Sequence, residues 1–96
     1  MCTIRLYDIM LNRNYPDSGD VLYNQMVDNI ASSDKVVLDL DGVVALPTMF
    51  LNVSIGRFMD MYGVEVLKQK VSFARVSASQ IERLKNYISI YSSGKA

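Results

Sequence analysis

The chain has 96 residues, half of them hydrophobic, and its 10 basic and 10 acidic side chains cancel to a formal net charge of zero. That length makes a single domain, 1–96, and the apolar content excludes a disordered chain. A nucleic-acid binder's basic stripe is absent, since Lys68, Lys70, Arg75, Arg83 and Lys85 are diluted by Glu65 and Glu82, and no apolar run approaches the roughly 20 residues of a membrane span.

In chain order, residues 3–11 mix Ile, Leu, Tyr and Met with Thr3, Arg5 and Asp8, which predicts a first strand. Residues 12–19 combine Asn, Pro, Asp and Gly, the composition of a loop, with Asp17 as the expected helix cap. Leu22, Met26 and Ile30 then recur every four residues, predicting an amphipathic helix of about three turns. Residues 31–34 end it. Val36-Val37-Leu38-Asp39-Leu40 is nearly all apolar, as expected of a central strand parallel to its neighbours and covered on both faces. Gly42 marks a turn, and Pro47 or Thr48 opens a second helix. Leu51, Ile55, Phe58 and Tyr62 give that helix its inner face, and Gly63 stands where a left-handed cap is expected. Residues 65–67 read as a short extended link and residues 70–76 as a third strand. Ser77-Ala78-Ser79-Gln80 has the form of a capping box. Ile81, Leu84, Ile88 and Tyr91 mark one face of the last helix. The expected fold is α/β, a small, mostly parallel or mixed sheet in β-α-β-α-β-α order. Its core spans residues 3–91, with residues 92–96 frayed.

The chemistry-bearing residues are few. With no histidine and one cysteine, Cys2, a Ser-His-Asp triad, a Cys/His metal site and an internal disulfide are all out of reach. Unpaired Cys2 fits a reducing cytoplasm, and residues 1–6 lack the basic start and long apolar core of a secretory leader. The notable stretch is Asp39-Leu40-Asp41-Gly42, at the carboxyl end of the central strand, where α/β sheets usually place function. It resembles the first motif of the haloacid-dehalogenase phosphatases. That resemblance implies Asp39 as nucleophile beside Mg²⁺ and Asp41 as acid/base, the alternative enzymatic reading. The same chemistry needs a lysine and a distal acidic pair, yet after Asp41 no two of Asp60, Glu65 and Glu82 are adjacent. The competing account is that one aspartate anchors the turn at Gly42 by accepting loop N–H groups. Met26, Met49, Met59 and Met61 read as core filler rather than as a binding groove.

A broader pattern covers most of the chain. Val36-Val37-Leu38-Asp39-Leu40-Asp41-Gly42-Val43, then Leu46-Pro47-Thr48-Met49-Phe50, then Lys70-Val71-Ser72-Phe73 resembles the STAS-like domains of unknown function of bacteria and their phages, which are similar to the anti-sigma factor antagonists. Arg13 and Gly19, ahead of the first helix, suit the same pattern. The resemblance implies a non-catalytic regulatory domain, working in the cytoplasm without a cofactor or metal. Its helix-start loop would dock a protein partner, a histidine-kinase-like ATPase. The docking residues would be Asp41, Gly42, Thr48, Met49, Phe50, Asn52 and Arg57. Met49 occupies the usual phosphoacceptor position, and Thr48, one residue earlier, is the candidate for phosphorylation. Because three strands leave sheet edges to cover, a homodimer is also expected, up to a purely structural self-associating subunit.

Overall fold

The computed structural model describes residues 2–32 and 35–93. Three parallel strands, β1 (Cys2–Arg5), β2 (Val36–Asp39) and β3 (Val71–Ala74), form one sheet in the order β1-β2-β3. As expected, β2 is central. Its register sets Cys2 beside Val36 beside Val71, and Arg5 beside Asp39 beside Ala74. Both crossovers move in the same direction along the sheet. With right-handed connections, this puts the crossover helices on one face.

The rows Cys2–Val36–Val71 and Ile4–Leu38–Phe73 meet those helices, and Val36 and Leu38 are fully buried. The row Thr3–Val37–Ser72 points the other way, with Thr3 and Ser72 exposed and Val37 half-buried. The sheet is therefore covered on one face, not on both as the apolar run of β2 suggested. Asp39 belongs to the uncovered face, and another side chain, Arg75, shields it.

The expected first strand, residues 3–11, divides. It pairs with β2 only as far as Arg5, and Leu6–Met10 then forms a short helix, α1. Leu6 and Ile9, three residues apart, both turn into the core, a spacing that one helical turn satisfies and a strand does not. The next helix, α2 (Tyr15–Ala31), starts ahead of the expected Asp17 cap. Asn14 is the cap instead: its side chain accepts the Asp17 N–H at 2.8 Å, and Pro16 sits in the first turn, where its missing N–H costs nothing. Gly19, expected ahead of this helix, lies inside it.

The second long helix is continuous but not uniform. It begins at α3 (Thr48–Leu51), widens into a π-helical turn (Asn52–Gly56) and resumes as α4 (Arg57–Tyr62). Buried Ser54 returns its hydroxyl proton to the Phe50 carbonyl at 2.7 Å, a local competitor for the backbone ladder. Phe50, Leu51, Ile55 and Phe58 fill the core from this helix, and α2 packs directly against α3 and the π turn. Gly63 has a positive φ of 92°, but its ψ of 157° makes it an extended glycine-type link between two helices rather than the expected left-handed cap. Residues 65–67 are not extended; they lie within α5 (Val64–Lys70), which buries Leu67 and ends with Lys68 and Lys70 at the negative pole of its dipole. The order is therefore β-α-α-β-α-α-β-α. The last helix, α6 (Ala78–Ser93), starts at the expected capping box, with Gln80 N–H donating to Ser77 Oγ at 3.2 Å and Ser77 N–H to Gln80 Oε1 at 3.0 Å. Ser92 and Ser93 belong to this helix rather than to a frayed tail; residues 94–96 lie outside the described residues. Its buried contacts are Leu84 and Tyr87, while Ile81, expected inside, is exposed. Of the methionines, Met26 and Met59 are core, and Met49 and Met61 face solvent.

Candidate functional site

All three strands point their carboxyl ends at one edge of the sheet, the edge where parallel α/β folds form crevices. Asp39 ends β2 there at 2% exposure. Both of its oxygens are taken by Arg75, one by Nη2 and the other by Nε at 3.1 Å. Asp39 Oδ1 also accepts the Asp41 N–H at 2.9 Å, which bends the chain into the turn at Gly42. Arg75 reaches this position from just beyond β3 with a positive φ of 50°, and its Nη1 lies 3.8 Å from Asp41 Oδ2. The Arg75 guanidinium, followed by the Asp41 amide, holds the Asp39 carboxyl below its ordinary range; Arg75 is raised in turn by its hydrogen bond to Asp39. A forked guanidinium on both oxygens makes Asp39 an anchor. It stands where phosphatase chemistry would put Mg²⁺, so the donor set does not suit a cation.

Beyond the turn the loop rises into solvent. Gly42 has φ of 85°, which favours glycine, and a Cβ there would press on the Tyr7 ring at 3.2 Å. Val44 is 95% exposed. Between this loop and the α1–α2 connection lies a groove of about 300 Å³, lined by Tyr7, Leu11, Arg13, Tyr15, Val43 and Val44 among others. Arg13 closes the carboxyl end of α1, donating from Nη1 to the Ile9 carbonyl at 2.8 Å. The loop re-enters the body at Leu46, which is buried, and Pro47 precedes the first helical residue, Thr48.

The proposed docking residues separate into groups. Asp41, Gly42 and Thr48 are exposed along the loop, and Met49 is 56% exposed on the first turn of α3. Phe50 does not join them. It is 0% exposed, because the turn that aims Met49 outward aims Phe50 and Leu51 into the core. Asn52 is exposed but tied, its Oδ1 accepting the Tyr87 hydroxyl at 2.7 Å. Burial, with Tyr91 and Asp60 adding charge, pushes the Tyr87 phenol up to about 12. Arg57 lies farther along, 4.2 Å over the Tyr23 ring and paired with Asp20 at 3.3 Å, so it fastens α4 to α2. Sequence reasoning missed Tyr7, Leu11, Tyr15 and Val44 as surface, and Arg75, Gln80 and Arg83 as supports. The one local signal for the surface was the apolar pair Val43-Val44 in a loop just after glycine.

The family model described as STAS-like domain of unknown function (DUF4325) matches residues 18–80. The chain belongs to this family. No curated protein and no solved structure matches it. The matched span of this STAS-like domain runs from α2 through the loop and β3 to Gln80, so it contains Asp39, Asp41, Gly42, Thr48 and Arg75. It stops short of most of α6 and leaves out β1 and α1, which supply the Tyr7–Leu11 wall of the groove. Among the described residues, no helix is long and apolar enough to cross a membrane.

Proposed function

We propose that this STAS-like domain is a non-catalytic regulatory module that docks a protein partner through the loop at residues 41–49 and the adjoining groove, in the cytoplasm. The observation that carries the proposal is the cluster of large apolar side chains left in water at one edge: Tyr7, Leu11, Tyr15 and Val44 around the groove, with Met49 on the helix that leaves the loop. Exposed apolar patches of this kind mark interaction sites, and tyrosine and arginine are favoured anchors in them. The partner class follows from the resemblance to anti-sigma factor antagonists: a histidine-kinase-like ATPase. Thr48 is the modification site in this proposal. Its Oγ1 accepts a hydrogen bond from Arg83 at 3.0 Å, so an added phosphate would meet a guanidinium. Asp39 acts as the anchor of the loop rather than as a nucleophile.

The test is affinity capture from native lysate with and without ATP, followed by titration of the purified captured ATPase. Wild-type chain should bind it, Val44→Asp and Asp41→Lys should weaken binding at least about tenfold, as expected for loss of a hot spot, and Lys85→Glu on α6 should not. Unchanged affinity for both loop variants would refute the docking surface. Recovery of nothing but further copies of this chain would refute the regulatory role in favour of self-association.

A further inference from the structure

The loop at residues 40–47 makes little structure of its own. Its internal turn is the Val43 N–H donating to the Leu40 carbonyl at 2.9 Å. Its side-chain supports converge from one short stretch elsewhere in the chain. Arg75 holds Asp39 and Asp41 where the loop begins. Gln80 Nε2 donates to the Val43 carbonyl at 2.7 Å. Arg83 donates to the Leu46 carbonyl from Nη2 at 2.8 Å and from Nε at 3.2 Å, and on to Thr48. Gln80 has two tasks in opposite directions. Its Oε1 accepts the Ser77 N–H and closes the first turn of α6, while its Nε2 holds the loop.

We propose that residues 75–83 are a clasp for the docking loop, with Gln80 and Arg83 as positioning residues that make the loop and the start of α6 one coupled unit. A partner that draws the Val43 and Leu46 carbonyls away from the clasp loosens the first turns of α6. Ordering those turns sets the loop in its docking shape. By linkage the effect is reciprocal. The clasp gives the surface proposed above a means of regulation, and it is testable in the free chain, so its failure is distinct from failure of the docking proposal.

Gln80→Glu separates the two tasks. Glutamate still accepts the Ser77 N–H, as in other capping boxes, but it has no proton to give the Val43 carbonyl. The measurement is amide hydrogen exchange with backbone ¹⁵N relaxation on the full chain. In Gln80→Glu the Val43 amide, which closes the turn onto the Leu40 carbonyl, should exchange about tenfold faster, because that turn opens more often once the Val43 carbonyl has lost its tether, worth about one hydrogen bond. Order parameters at Val44 and Ala45 should fall, and the Ile81 amide, bonded to the Ser77 carbonyl at 2.9 Å, should lose part of its protection with them although its cap is kept, whereas an Ile81 amide unchanged beside a loosened loop would overturn the coupling. Arg83→Met should loosen residues 46–48 in the same way. Unchanged loop exchange in both variants would overturn the clasp. Equal acceleration across the whole chain would also overturn it, since these side chains would then be serving global stability alone.

Discussion

Gly19→Ala sets two effects of opposite sign against each other. In an ordinary helix interior the change stabilises by about 0.5–1 kcal/mol. Here the new methyl would fall inside contact distance of Val53 Cγ2 and 2.9 Å from the Phe50 carbonyl oxygen, both on the helix that leaves the loop. Val53 can shift, but a backbone oxygen cannot turn aside, so α2 must back away from α3 and the π turn. Overpacking of this kind costs about 1–3 kcal/mol. Taking the middle of each range, the variant is destabilised by about 1 kcal/mol, which lowers the Tm of a domain this size by about 4–8 °C. Urea unfolding followed by circular dichroism measures it. Adding Val53→Ala should recover part of the loss, a coupling of about 0.5 kcal/mol or more between touching side chains. If Gly19→Ala alone stabilises the domain, as helix propensity predicts, then α2 does not approach the π turn as described. The platform that aims Met49 outward and Phe50 inward would then need redrawing.

Three further outcomes follow from the same structure. Phe50→Ala should cost about 3–5 kcal/mol, the usual loss for a buried phenylalanine, while Met49→Ala next to it should change stability by about 0.5 kcal/mol or less; equal effects in urea titrations would mean that Phe50 is not core. Because Asp39 is held below its ordinary value of 3.8, its pairing with Arg75 contributes stability above that value and loses it as pH falls through the lowered folded value. The stability gap between wild type and Asp39→Asn should therefore be widest near neutrality and close in the acid limb, and a gap independent of pH would contradict the pairing. Tyr87 shifts the opposite way: raised from 10.0 to about 12, it contributes stability fully below pH 10.0 and loses it as pH rises toward about 12. Tyr87→Phe should start lower, having lost the bond to Asn52, yet show a flatter alkaline limb, and a parallel limb would contradict that burial.

Local signals carried much of this fold. The Ser77–Gln80 capping box, Pro47 ahead of Thr48 and the positive φ at Gly63 all depend on neighbours within a few residues, and the apolar run of β2 marked the central strand although its place is made by pairing with distant strands. The failures have the same physical root. Leu6–Met10 and Val64–Lys70 are short segments mixing apolar and polar residues whose periodicity suits a strand or a turn or two of helix, and tertiary packing decides between them. In the π turn Ser54 bonds the Phe50 carbonyl and Gly56 makes room for Tyr87 Oη, 2.5 Å from where a Cβ would be, a contact with a residue 31 positions on. At the site, Asp39 and Gly42 were legible because a strand end followed by glycine is a local pattern. Arg75 was not, since it stands 36 residues from Asp39, and Gln80 and Arg83 stand 37 from the carbonyls they hold. Pairings at that distance along the chain leave no period in the sequence.

The most direct test of the docking claim is site-specific photo-crosslinking in the native cell, with the crosslinking amino acid placed at Val44 in one variant and at Ile90 in another. Both positions are well exposed, but Ile90 lies near the far end of α6 from the residues that meet the loop. A discrete crosslinked product from position 44, identified by mass spectrometry as a histidine-kinase-like ATPase and missing from position 90, is the predicted result. No product at position 44, or the same products from both positions, would contradict a docking surface at the carboxyl edge of this sheet.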